Sequence, residues 1–174
     1  KIHTKFKDLF LVKGQTHYDN RGFFRELVYQ KMVPKNIIFT VISKSKKNIL
    51  RGLHFQESPF EQSKLVRVSH GEIQDVVVDI RKKSKTFRKH ISIKLSKQNG
   101  RQLFVPKGFA HGFLVLSKYA IVNYKVDNYY SMNHDLGVSF DDPDLNISWE
   151  LKKSDIKVSQ KDLNLPQLKN LNIL

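Results

Sequence analysis

The sequence predicts an all-β fold, an antiparallel sandwich, jelly roll or barrel. Three observations carry that expectation. Short runs rich in β-branched and aromatic residues recur along most of the chain, turn-like stretches separate them, and the three-to-four-residue apolar period of a packed helix is nearly absent.

In chain order the runs are FFRELVY (23–29), IIFTVIS (37–43), LRGLHFQ (50–56), KLVRVS (64–69), EIQDVVVDI (72–80), KHISIKL (89–95), RQLFVP (101–106), GFLVL (112–116) and AIVNYKV (120–126). Valine, isoleucine, phenylalanine and tyrosine suit a pleated, half-buried surface, which is why these runs read as strands. SHG, RKKSKT, SKQNG, PKG and LSK lie between them, and their glycine, proline, serine and asparagine favour turns. Within 89–95, Ile91, Ile93 and Leu95 alternate with Ser92 and Lys94, as one buried face of an antiparallel strand requires. QKMVPKNI (30–37) admits one short helical turn. No linker, repeat or low-complexity segment divides the chain, so residues 1–174 are expected to form one domain with a looser, short helical or irregular tail after Trp149.

A chain of 174 residues buries most of the surface its unfolded form exposes. Its 40% hydrophobic content is too high for a disordered protein. The absence of cysteine excludes disulfides and thiolate metal ligands and favours a cytoplasmic setting. Leu9–Val12 is the one apolar run near the start, far short of the ~20 residues of a membrane span, so neither a signal peptide nor a membrane anchor is expected. The net charge of +15 attracts polyanions. The lysines are scattered, however, in KFKD, KSKK, RKKSK and ELKKS, where they solvate turns and strand ends, so nucleic acid is not expected as a partner.

Two stretches carry chemistry. In LRGLHFQ, Arg51, Gly52 and His54 sit inside an apolar frame of Leu50, Leu53 and Phe55. In GRQLFVPKGFAHGF (100–113), Gly100, Pro106, Gly108 and His111 stand at the spacing G-x5-P-x-G-x2-H. That spacing resembles the second signature of the cupins, which implies a cupin jelly roll. The metal-binding first signature of that family is missing its second histidine, because Phe55 and Gln56 follow His54. No metal and no cofactor are therefore expected. A barrel mouth lined by Arg51, His54, Lys64, His111 and Tyr124 points instead to side-chain acid–base work.

A closer resemblance spans nearly the whole chain. RGFFRE (21–26), LRGLHFQ (50–56), QSKLVRVSHGEIQDVVVDIR (62–81), RQLFVPKGFAHGFLVLS (101–117), YKVDNYY (124–130), DDPDLNISW (141–149) and SQKDLNLP (159–166) resemble, in that order, blocks of the dTDP-4-dehydrorhamnose 3,5-epimerase family. The resemblance implies epimerisation at C3, C5 or both of a nucleotide-linked 4-keto sugar for surface polysaccharide, by proton removal and return through an enolate. It matches His54 to the base, Asp162 to the carboxylate behind it, Tyr124 to the acid on the opposite face and Lys64 to the cation near the C4 oxygen. Arg51, His111, Tyr130 and Lys161 match positions that bind substrate. RGFFRE matches a segment that reaches into a partner subunit's site, with Arg21 on phosphate, Phe24 against the base and Glu26 near the base edge. A homodimer follows.

One segment departs from the pattern. Family members usually carry QxNxSxS before LRGLH, and here FTVISKS puts Phe39 for the glutamine and Val41 for the asparagine. Two amides replaced by apolar groups imply altered recognition, either of a dTDP-linked 4-keto-6-deoxyhexose or of a GDP-linked 4-keto-heptose. The competing readings are a 3,4-ketoisomerase of a similar substrate and a non-enzymatic polyanion-binding module.

Overall fold

A computed structural model describes residues 1–27, 33 and 37–171. Among these residues the chain forms β1 (Ile2–His3), β2 (Phe10–Lys13), β3 (Thr16–Asp19), β4 (Gly22–Arg25), β5 (Phe39–Lys46), β6 (Leu50–Gln56) and β7 (Lys64–His70). They are followed by β8 (Glu72–Asp79), β9 (His90–Ser96), β10 (Arg101–Val105), β11 (Phe109–Val115), β12 (Tyr119–Val126), β13 (Asp135–Gly137) and a short helix, α1 (Gln160–Leu163). A six-stranded sheet in the order β1-β2-β10-β7-β12-β5 faces a five-stranded sheet in the order β13-β6-β11-β8-β9, and β3 with β4 forms a separate hairpin. Every strand-to-strand pairing in these sheets is antiparallel. This is the expected all-β jelly roll.

Alternation places the core. Val66 and Val68 of β7, Val77 of β8 and Phe113 and Val115 of β11 meet between the sheets, while Leu65 faces outward. The five-stranded sheet is buried on its outer face too, where Leu53, Val76, Val78 and Ala110 pack under Val138, Leu145 and Leu168. Burial on both sides explains why β8 carries three valines in succession, Val76 to Val78. Each large aliphatic side chain sealed there contributes roughly 1.5–3 kcal/mol.

The segment after Trp149 differs from the looser tail that composition implies. Lys157 bridges to Ile49, accepting a hydrogen bond from Leu50 N (2.9 Å) and donating one to Asn48 O (2.8 Å). Ser159 Oγ caps α1 by accepting from Asp162 N at 3.1 Å, and Leu168 is only 3% exposed. Its apolar residues follow neither a helical nor a strand period because the segment crosses the sheet as an irregular strap, with Ile156 and Val158 packed against Leu50 and Leu114. The end of the run at 23–29 and most of the turn at 30–37 lie outside the described residues.

Candidate active site

Three steps along β6 match two along β11. His54 pairs with His111 and Arg51 with Phe113, so β6 carries a bulge between them. Strict alternation would set Arg51 opposite to His54. The bulge lets Leu50, Leu53 and Phe55 all face the outer apolar layer while Arg51 and His54 both face inward. Gly52 makes this possible. Its φ is +114°, and a Cβ there would lie 2.6 Å from Gly112 Cα and 2.7 Å from His111 O.

The inward groups line a cavity of about 660 Å³ between the two sheets. On the five-stranded wall, His54 Nε2 lies 2.8 Å from Asp162 Oδ1, carried on α1, and Gly52 N donates to Asp162 Oδ2 at 3.2 Å. Burial raises the proton affinity of this carboxyl, but the hydrogen bond and charge of His54, with Gly52 N–H and Ser159, outweigh it and leave its pKa below the usual aspartate value. Asp162 is thus a carboxylate fixed on one imidazole nitrogen, and 29% exposure leaves the His54 ring open to the cavity.

Tyr124 stands on the opposite wall, in β12 of the six-stranded sheet, its hydroxyl 3.4 Å from Ser43 Oγ. Burial pushes its pKa far above the ordinary tyrosine value, so the phenol keeps its proton throughout the neutral range. Lys64 lies on β7, in register with Val126 of β12, two residues along from Tyr124. Burial lowers its pKa, and the charges of Asp135 and Asp75 oppose that fall. Arg51 Nε donates to Ser45 Oγ at 2.9 Å.

Two carboxylates that sequence reasoning did not single out complete the site. Asp75, from β8, holds His111 Nε2 at 3.0 and 2.9 Å. Asp135, from β13, accepts from Tyr130 Oη at 3.0 Å and from Lys161 Nζ at 2.6 Å. A charged residue inside the apolar run EIQDVVVDI was the available signal for Asp75. Asp135 lies in a stretch with no such contrast. Among the described residues, no three His, Asp or Glu side chains converge where a metal ion could sit.

The cavity brings together His54, Asp162, Tyr124, Lys64, Arg51 and His111, with Tyr130 and Lys161 at its border. Phe39 and Val41 line it as well, and Phe39 stacks on Tyr129 with ring centroids 5.8 Å apart and planes 13° from parallel. Arg21, Phe24 and Glu26 do not line it. They belong to the β3–β4 hairpin, where Arg21 pairs with Asp19 at 2.6 Å, Phe24 is 69% exposed and Glu26 N donates to Gln15 O at 3.0 Å.

The family model described as dTDP-4-dehydrorhamnose 3,5-epimerase matches residues 3–170. The chain belongs to that family. The dTDP-4-dehydrorhamnose 3,5-epimerase of Shigella flexneri is 43% identical over 169 residues, covering 94% of this chain and 92% of its own. The crystal structure of the family member from Elizabethkingia anophelis superimposes with a TM-score of 0.94 at 39% identity, covering 99% of this chain and 97% of its own. An epimerase from Legionella pneumophila, solved with dTDP-4-keto-L-rhamnose, gives 0.93 at 38% identity, covering 98% and 93%. Members of this epimerase family are isomerases, and this chain is one of them. Among the described residues no helix is long and apolar enough to cross a membrane.

Proposed function

We propose that the cavity takes a nucleotide-linked 4-keto sugar and inverts C3, C5 or both through an enolate. The observation that carries this reading is the His54–Asp162 pair at 2.8 Å on one sheet, with Tyr124 facing it from the other. His54, held by Asp162 through Nε2, removes a proton α to the ketone with its other ring nitrogen. The electron pair of the broken C–H bond moves to the C4 oxygen, where the Lys64 ammonium opposes the new charge. Tyr124 then gives its hydroxyl proton to the carbon from the opposite face. One C–H bond has broken and one has formed, leaving His54 protonated and Tyr124 as phenolate until both re-equilibrate with solvent.

Arg51 and Lys161 supply cations for the diphosphate, with His111 and Tyr130 contacting the sugar end. The exposed hairpin supports a homodimer in which Arg21, Phe24 and Glu26 complete a partner's site, since Tyr18 and Phe24 there are 73% and 69% exposed. Residues 1–174 then act as one cytoplasmic epimerase domain. The Legionella relative supports a dTDP-linked substrate, whereas Phe39 and Val41 leave a GDP-linked heptose as the competitor.

Incubating the protein with dTDP- and GDP-linked 4-keto sugars in deuterated water, followed by NMR, tests the proposal. Deuterium entering C3, C5 or both, with inversion, is the expected result. Absence of exchange with every substrate overturns it. Migration of the ketone to C3 replaces it with ketoisomerisation.

A further inference from the structure

The cavity floor holds a second histidine–aspartate pair, and it differs from the first. His54 and His111 are Cα partners on adjacent strands, and each gives Nε2 to a carboxylate. Among the described residues neither Nδ1 has a hydrogen-bond partner. The His111 Nδ1 is not sealed in, because the one buried side-chain polar atom without a partner among those residues is Asn48 Oδ1. It therefore opens toward the cavity that His111 lines.

The carboxylates differ in their surroundings. Asp162 accepts from a backbone N–H as well as from His54. Asp75 has no exposed side-chain surface, and among the described residues its sole hydrogen-bond donor is His111, which spans both oxygens. A carboxylate shut away from water depends on the few positive groups around it. For Asp75 the contact is the His111 N–H, the Lys64 ammonium acts through space, and the Asp75 charge also acts on Tyr124.

We propose that Asp75 is a positioning residue: it fixes His111 with Nε2 as the donor and Nδ1 toward the substrate. That this substrate is a sugar nucleotide rests on the epimerase reading above. Asp135 from β13, Tyr124 from β12, His111 from β11, His54 and Arg51 from β6, and Lys161 from α1 also face this space. Asp75 lies below them, so it tunes the reacting groups without touching the ligand.

The variant Asp75→Asn keeps the size and removes the charge. The expected fall in kcat is about 10–100-fold, as for a carboxylate that orients a metal-binding histidine, with KM changing far less. A kcat within about twofold of wild type in a variant whose circular dichroism and melting match wild type overturns the proposal.

Nitrogen-15 NMR of histidine-labelled wild-type protein gives a second reading that needs neither substrate nor mutant. A proton on His111 Nε2 is expected, and a neutral ring protonated on Nδ1 instead overturns the proposal even where Asp75→Asn does not fold. If wild type exchanges no sugar nucleotide, the epimerase reading fails, and the NMR experiment still decides how Asp75 acts on His111.

Discussion

Replacing Tyr124 by phenylalanine removes one hydroxyl and keeps the ring, which packs edge-on against His111. With the acid gone and His54 intact, deuterium is expected to continue washing into substrate while inversion falls about 10²–10⁴-fold. NMR of one sample reads both rates, and equal near-wild-type rates remove Tyr124 from the mechanism. At this scale the sequence was legible where a side chain belongs to an ordered block: His54, Lys64, Tyr124 and Asp162 were all expected together, and the cavity gathers them. Asp75 and Asp135 were not foreseen: the one signal for Asp75 was its charge within an apolar run, and Asp135 stands in a stretch with no such contrast. What marks them is the partner each meets across the fold, His111 for one and Lys161 for the other.

The bulge in β6 answers why an arginine and a histidine sit inside an apolar strand: one extra residue turns both inward. Gly52→Ala is expected to destabilise the protein by at least about 1–3 kcal/mol, from strain at a positive φ and collision with Gly112, read as a lower denaturation midpoint. The link between β8 and β9 makes a different prediction. Buried Asp79 binds Arg81 (2.8 and 2.9 Å), Ser84 (2.6 Å) and Thr86 (2.6 Å), and although burial pushes its pKa up, these bonds bring it down to about 2. The folded pKa lies below the unfolded one, so the stabilisation, about 2 kcal/mol, is complete above pH ~4 and disappears as pH falls through 2. Asp79→Asn should lower neutral-pH stability by about that amount and flatten the acid side of the curve between pH 4 and 2, as thermal melts at a series of pH values would reveal. Strand runs with strong alternation or β-branching were legible, β5 to β12 among them. β1, β3 and β13 were not, since two to four residues carry no period, and the strap after Trp149 has none to carry.

At the scale of the whole molecule the β3–β4 hairpin places Arg21 outside its own chain's cavity, so a site built from two chains can be tested by mixing. If the proposed dimer shares its sites, Arg21→Ala and His54→Asn proteins should each be nearly inactive, and an equal mixture that forms hybrids should recover up to about a quarter of wild-type activity, because one site in each hybrid keeps both residues intact. Mass spectrometry verifies hybrid formation, and no recovery would show that each site is built from one chain. If His54 and Tyr124 divide the proton transfers between the two sheets as proposed, the free enzyme changes state with every turnover. A proton taken up by one wall and delivered from the other cannot be the same proton, so a free enzyme that has just released product differs from the enzyme that bound substrate. It exists in two proton isomers, each competent for one direction of the reaction only. Their interconversion is an extra step in the cycle. When substrate and product are both abundant that step becomes rate-limiting, and an isotopically labelled product pool is then driven back against its own equilibrium by the net flow of substrate.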